Sequence, residues 1–227
     1  MSKKNKLFIL PTSFMIFFLL TSVSCTFFKA WQNNPERVGE IAPSSSRVAK
    51  KMSETIKTDG DKKYLLEVGA GEGALTEKII QKLRDIDHLD LIEIEPIFCK
   101  ELSEKFGAIK NVAIHCLDFL VWQPSYQYDY VVTSLPFNSF PPSLTEQLMK
   151  HLLEVTKEHG KLSFYEFKWL PQIRPWFMNE AEIKVQAQNR SVIENFIKTY
   201  LVYQTTVYVN FPPVIVYHLE KQSDHSL

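Results

Sequence analysis

The sequence predicts an α/β fold: a doubly wound, Rossmann-like sheet, mostly parallel, with a C-terminal antiparallel hairpin. Three observations carry this. Short apolar runs alternate with helical patterns from Tyr64 to Phe167, as in a parallel sheet covered on both faces. The first run, Tyr64–Val68, enters a glycine-rich turn, Gly69-Ala70-Gly71-Glu72-Gly73, at the point where such sheets open a ligand crevice. The last two runs, Thr205–Asn210 and Val214–Leu219, flank Phe211-Pro212-Pro213 and read as an antiparallel pair.

The 227 residues suit one domain with an appendage. They divide into a hydrophobic segment (1–28), a helical lead-in (29–60) and a main domain (61–222). Pro43 and the serines after it signal a helix start ahead of RVAKKMSETI, and Asp59-Gly60-Asp61 is a turn. After the first strand come a helix over Ala74–Leu83, a strand over Leu89–Ile94 and a helix over Pro96–Phe106, whose proline suits a first turn. Strands follow at Val112–Leu117 and Tyr128–Ser134, the latter ended by Leu135-Pro136-Phe137. A helix over Ser143–Val155, a strand over Leu162–Phe167 and a helix around Ser191–Tyr200 precede the hairpin.

Hydrophobic residues at 45% and charged residues at 23% allow a packed core. Lys+Arg and Asp+Glu are equal at 26 each, which argues against a partner gripped through its phosphates. Cys25, Cys99 and Cys116 are odd in number and widely spaced. They read as neither a disulfide framework nor a zinc site, so no metal is expected, and Cys99 and Cys116 read as small buried side chains. Lys3, Lys4 and Lys6 precede an uncharged run from Leu7 to Phe28, near the roughly 20 apolar residues that cross a bilayer. The leading reading is a membrane-associated protein with its main domain in the cytoplasm. The alternatives are a secretory or lipoprotein signal ending at Cys25, or a true start at Met15.

The turn after the first strand carries the chemistry. Its spacing is GxGxG, not GxGxxG, and Glu67 precedes it. A carboxylate there repels a diphosphate but suits a ligand bearing an ammonium and a sulfonium, which points to S-adenosylmethionine. The expected cofactor contacts are Glu67, Gly69, Ala70, Gly71 and Gly73. Glu93, about two dozen residues on, is placed to accept both ribose hydroxyls, with Ile94 beside it; Glu95 is the nearby competitor, its other reading a cap on the following helix. Asp118 ends the third strand, where it suits an adenine amino group, and Phe119 is placed to pack on the ring. Ser134 borders the same pocket.

Ser134, Leu135, Pro136 and Phe137 are the expected acceptor site. Methyl transfer to an amine is an in-line displacement, so a site supplies mainly alignment and a fixed electrostatic setting. The Leu135 carbonyl and Ser134 hydroxyl suit the amine, Pro136 fixes the backbone, and Phe137 offers a face to a cationic nitrogen. The amine must lose a proton; Tyr165, Glu166 and water are the candidate acceptors.

LEVGAGEGALTEKI, LIEIEP, CLDF and SLPFNSFPP together resemble the ordered motifs of class I methyltransferases. Two branches are most similar, the bacterial phosphatidylethanolamine N-methyltransferases and the ribosomal RNA adenine dimethyltransferases. FKAWQNNPERVGEIAPSS resembles the membrane-binding lead-in of the first branch, and VNFPPVIVYHLE resembles its closing hairpin. Ser134 stands where the RNA enzymes usually carry Asn or Asp. The resemblance implies an N-methyltransferase acting on a phospholipid head-group amine, with a membrane surface as partner. An RNA adenine N6-methyltransferase is the alternative, and a membrane-anchored, catalytically degenerate cofactor-binding protein is the third reading.

Overall fold

The computed structural model describes residues 46–168, 180–209 and 213–223. The readings that fall on residues 1–45, and the Phe211-Pro212 turn, lie outside the described residues. Helix α1 (Ser46–Met52) precedes β1 (Tyr64–Val68), α2 (Thr76–Ile80), β2 (His88–Glu93), α3 (Pro96–Phe106), β3 (Val112–Cys116) and β4 (Tyr128–Thr133). Then come α4 (Pro142–Val155), β5 (Thr156–Phe167), α5 (Glu180–Tyr200), β6 (Leu201–Val207) and β7 (Val214–Glu220). Short 3₁₀ turns cover Phe119–Val121 and Phe137–Ser139.

The seven strands form one sheet in the order β3-β2-β1-β4-β5-β7-β6. Strands β1 to β5 pair in parallel, and β7 pairs antiparallel with both β5 and β6. Alternation along each strand sends neighbours to opposite faces. Leu65, Leu89, Leu91 and Val216 join Val48, Met52, Ile79, Leu102 and Phe106 from α1, α2 and α3. Leu66, Ile92, Tyr217 and Leu219 join Leu148, Met149, Leu152 and Ile193 from α4 and α5. Each such side chain contributes roughly 1.5–3 kcal/mol when fully buried, and the two faces lock the parallel strand ends in register.

Four elements and one cysteine reading differ from the sequence reading. Strand β6 runs from Leu201 to Val207 and not from Thr205 to Asn210. Helix α2 is shorter, ending at Ile80 in a turn. Strand β5 begins at Thr156, which also caps α4, so helix passes into strand without a loop. Helix α5 starts at Glu180, eleven residues before the helix expected from Ser191; its buried residues are Asn189 and Ile193, too few for a strong period. The cysteines are a correction: Cys99 and Cys116 are joined in a disulfide, with a Cα–Cα distance of 5.7 Å. Adjacent parallel strands explain it. Cys99 lies in the first turn of α3 just past β2, and Cys116 ends β3.

Several polar side chains are buried within the sheet, among them Glu67, Asp90, Ser163 and His218. Asp90 of β2 is buried; its carboxylate lies 2.6 Å from His115 Nε2 and accepts from Tyr126 Oη at 2.7 Å and Tyr128 Oη at 2.9 Å. Burial pushes its pKa up, but the His115 and Tyr126 hydrogen bonds, the His88 charge and the Tyr128 hydrogen bond outweigh it, and the carboxyl is held below its usual range.

Among the described residues, no helix is long and apolar enough to cross a membrane, and no group of three or more His, Cys, Asp or Glu is arranged to hold a metal ion.

Candidate active site

The turns leaving β1, β2, β3 and β4 share one end of the sheet, and the site is built from them. Gly69, Gly71 and Gly73 turn with φ of 75°, 53° and 87°, backbone that L side chains rarely adopt. Two of the three are closed in. A Cβ at Gly69 would meet Leu135 Cδ2 at 3.3 Å, and one at Gly73 would meet Phe106 Cε2 at 2.5 Å. Gly71 faces open space, with nothing within 4 Å of a Cβ. The loop is therefore wedged between the turn after β4 and α3, with its crest open. Ala70 is buried beside it.

Glu93 ends β2 and is 7% exposed. Its Oε2 accepts from Gly71 N–H at 2.8 Å, and its Oε1 accepts from Ile94 N–H and Glu95 N–H, both at 2.9 Å. One carboxylate thus joins the glycine loop to the start of α3. Burial raises its pKa against the opposing pull of these backbone hydrogen bonds. Ile94 is an exposed apolar side chain beside it.

Glu67 lies beneath the loop, fully buried. Its Oε2 accepts from Thr76 Oγ1 at 2.7 Å, while its Oε1 has no partner. Burial pushes its pKa up to about 8, against the Thr76 hydrogen bond and helped by the Glu93 charge. Asp118, at the end of β3, is exposed and accepts from Leu120 N–H at 3.0 Å. Phe119 is turned inward instead, 4% exposed, with its ring 4.6 Å from His151.

In the turn after β4, Ser134 N–H donates to Val68 O at 3.1 Å, Leu135 N–H to Thr133 Oγ1 at 3.2 Å, and Phe137 N–H to Leu135 O at 3.0 Å. Ser134, Leu135 and Pro136 are half-buried. Phe137 is not a surface ring: it is 2% exposed and meets Phe164 edge-on at 5.5 Å. Its apolar ring is better accommodated in the core than in an open pocket. The Leu135 carbonyl spends one lone pair on the turn and keeps the other.

Three contacts went unread in the sequence. Thr76 supports Glu67 from nine residues on, within GEGALT. Asn189 Nδ2 of α5 donates to Phe137 O at 2.6 Å, and Arg190 Nη1 donates to Glu166 Oε2 at 3.0 Å. No local pattern marks the last two, because α5 is remote in sequence from the turn it holds.

The residues fit S-adenosylmethionine. The unpartnered, buried Glu67 Oε1 and Glu95 Oε2 are acceptors beside an open glycine crest, matching a ligand rich in N–H and O–H donors. Glu67, Gly69, Ala70, Gly71, Gly73, Glu93, Ile94, Asp118 and Ser134 would hold it.

Comparison with known proteins supports the fold and the cofactor. The family model for ribosomal RNA adenine dimethylase matches residues 44–181. A probable ribosomal RNA small subunit methyltransferase A of Methanosarcina barkeri is 32% identical over 109 residues, 48% of this chain and 35% of that protein. An ornithine lipid N-methyltransferase of Singulisphaera acidiphila is 25% identical over 142 residues, 60% of this chain and 73% of that protein. The match to the first relative thus spans about a third of its length. Among solved structures, the N-methyltransferase NodS from Bradyrhizobium japonicum WM9, in complex with S-adenosyl-L-homocysteine, aligns with a TM-score of 0.63 at 15% identity, over 87% of this chain and 99% of that one. It shows the shared fold.

Proposed function

The chain belongs to the ribosomal RNA adenine dimethylase family of S-adenosylmethionine-dependent methyltransferases, and on that premise we propose that it N-methylates the amine of a lipid head group, phosphatidylethanolamine being the leading candidate. One observation carries the choice of acceptor. Arg190, a cation of α5 next to the Asn189 that holds the acceptor turn, is tied to Glu166 at 3.0 Å and to Glu194 at 2.6 Å. A site that reads RNA needs cations free for phosphates, and the chain as a whole has a formal net charge of zero. The broad match to an ornithine lipid N-methyltransferase supports the same reading.

S-adenosylmethionine supplies an electrophilic methyl group on a sulfonium. The chain supplies placement. Ser134, Leu135 and Pro136 line the acceptor turn, whose backbone is fixed by hydrogen bonds to Val68, Thr133 and Asn189. Glu166 faces the α5 side, where burial raises its pKa against the opposing pull of the Arg190 charge and the Tyr217, Arg190 and Asn138 hydrogen bonds, and it is our candidate to take the amine proton. Tyr165 points to the opposite face, against Phe167. The cytoplasmic face of a membrane, where donor and lipid meet, is the proposed location.

The test is incubation of the full chain with methyl-labelled S-adenosylmethionine and phosphatidylethanolamine vesicles, phosphatidylcholine vesicles or ribosomal RNA. Label in phosphatidylethanolamine alone is expected. Label in RNA with none in lipid sinks the lipid reading and installs the RNA one, which the family model favours. Cofactor binding by calorimetry with no labelled acceptor marks a degenerate enzyme.

A further inference from the structure

We propose that the Cys99–Cys116 pair is a redox modification site through which a thiol or dithiol reductant sets cofactor affinity; the proposal rests on the cofactor pocket described above. The disulfide spans two walls of that pocket. Cys116 is the register partner of Glu93 across β2 and β3, and it stands two residues before Asp118. Cys99 lies in the first turn of α3, with its Sγ 3.5 Å from the Glu93 carbonyl oxygen. That same oxygen accepts from Leu117 N–H at 3.0 Å. The covalent link therefore fixes the segment carrying Glu93 against the segment carrying Asp118. It also pins the start of α3, whose far end holds the glycine loop: Phe106 fills the space at Gly73, and Lys105 Nζ donates to Glu72 O at 2.7 Å.

The two sulfurs differ in access. Cys116 is exposed, whereas Cys99 is 7% exposed. A reductant thiolate attacks Cys116 Sγ, forming a mixed disulfide, and the S–S bond breaks with its electron pair on Cys99. The Cys99 thiolate leaves near the N-terminus of α3, where the helix dipole favours negative charge, and then takes a proton. A second reductant thiolate attacks the reductant's own sulfur in the mixed disulfide and releases Cys116. Two electrons pass in all: the protein gains two thiols and the reductant becomes its disulfide. In the dithiol form, the two walls are held by hydrogen bonds and core packing without a covalent tie, and part of the pocket's preorganisation is lost.

The experiment is calorimetric titration of the full chain with S-adenosylhomocysteine, after air oxidation and after reduction with dithiothreitol, the state of each cysteine being mapped by alkylation and peptide mass. The oxidised form is expected to bind about threefold to tenfold more tightly, the range that preorganisation of a few side chains supplies. The double variant Cys99→Ser, Cys116→Ser is expected to match the reduced form under both conditions. Equal affinity of the two mapped states overturns the proposal while leaving the cofactor reading intact. Free Cys99 and Cys116 thiols after air oxidation overturn it as well. If no form binds the ligand, the cofactor reading falls and the proposal falls with it.

Discussion

The ring of Phe106 occupies the space that a side chain on Gly73 would need: a Cβ there would lie 2.5 Å from Phe106 Cε2. Gly71, two residues earlier, would meet nothing. Substituting the two is expected to separate stability from binding. Gly73→Ala must displace a core aromatic and strain a left-handed backbone, at a cost of about 2 kcal/mol or more. Gly71→Leu bears only the backbone cost of about 1–2 kcal/mol, folds, and loses S-adenosylhomocysteine binding because its side chain projects from the open crest. Denaturant melts and calorimetry on both variants check this; a Gly71→Leu protein that still binds shows that the crest does not face the cofactor.

Glu93 joins three backbone N–H groups to one carboxylate, so Glu93→Ala is expected to weaken S-adenosylhomocysteine binding about 10- to 100-fold, the worth of charge-assisted hydrogen bonds. Glu93→Gln, which keeps one acceptor oxygen, should fall between. Calorimetry giving wild-type affinity for Glu93→Ala would remove this residue from the pocket.

Glu67 makes the empty protein sensitive to base. Its pKa is raised from 4.5 to about 8 in the folded state, so its favourable contribution is fully present below pH 4.5 and is lost as pH rises towards 8. The expected slope approaches about 1.4 kcal/mol per pH unit within that window. Glu67→Gln should flatten it, measured as the difference in melting curves from pH 5 to pH 8.5. A cationic ligand favours the ionised carboxylate, so cofactor affinity should rise over the same interval in the wild type. Parallel stability profiles for the two proteins would contradict this.

Asp90 acts at the other end of the scale. Its pKa is held below the ordinary value, so its contribution is present above about pH 4, the unfolded value, and is lost as pH falls through the folded one. Asp90→Asn should remove part of the acid-denaturation limb. Asp90→Ala, which strands the Tyr126 and Tyr128 hydroxyls, should cost about 2–4 kcal/mol at neutral pH. Urea melts at pH 3.5 and pH 7 distinguish the two effects.

Asn189 holds the acceptor turn, donating from Nδ2 to Phe137 O at 2.6 Å. Asn189→Leu breaks its bond to Phe137 O and is expected to raise the acceptor KM several-fold while leaving S-adenosylhomocysteine affinity unchanged. An equal loss in both would make Asn189 a general stability residue.

The legible parts of this fold are those whose signal is local. Strand β1 and helix α3 fall where the sequence puts them, because an apolar run before GxGxG and a proline at a helix start are short-range features. The acids at the ends of β1, β2 and β3 are legible for the same reason. What is missed is made by the sheet. Cys99 and Cys116 are 17 residues apart in sequence, and their meeting becomes visible only once β2 and β3 are known to be neighbours. Phe137 and Phe119 read as ring faces for ligands; the turns that carry them point them into the core instead.

Strand β7 comes last among the described strands, yet it lies inside the sheet between β5 and β6. Val214 and Val216 complete one core face, and Tyr217 and Leu219 the other. A chain leaving the ribosome therefore holds every cofactor-loop residue long before it can close its sheet. Until residues 214–220 emerge, the edge of β5 stands unpaired, an aggregation-prone interval during synthesis. The slow, non-local pairing of β7 with β5 is what ends it.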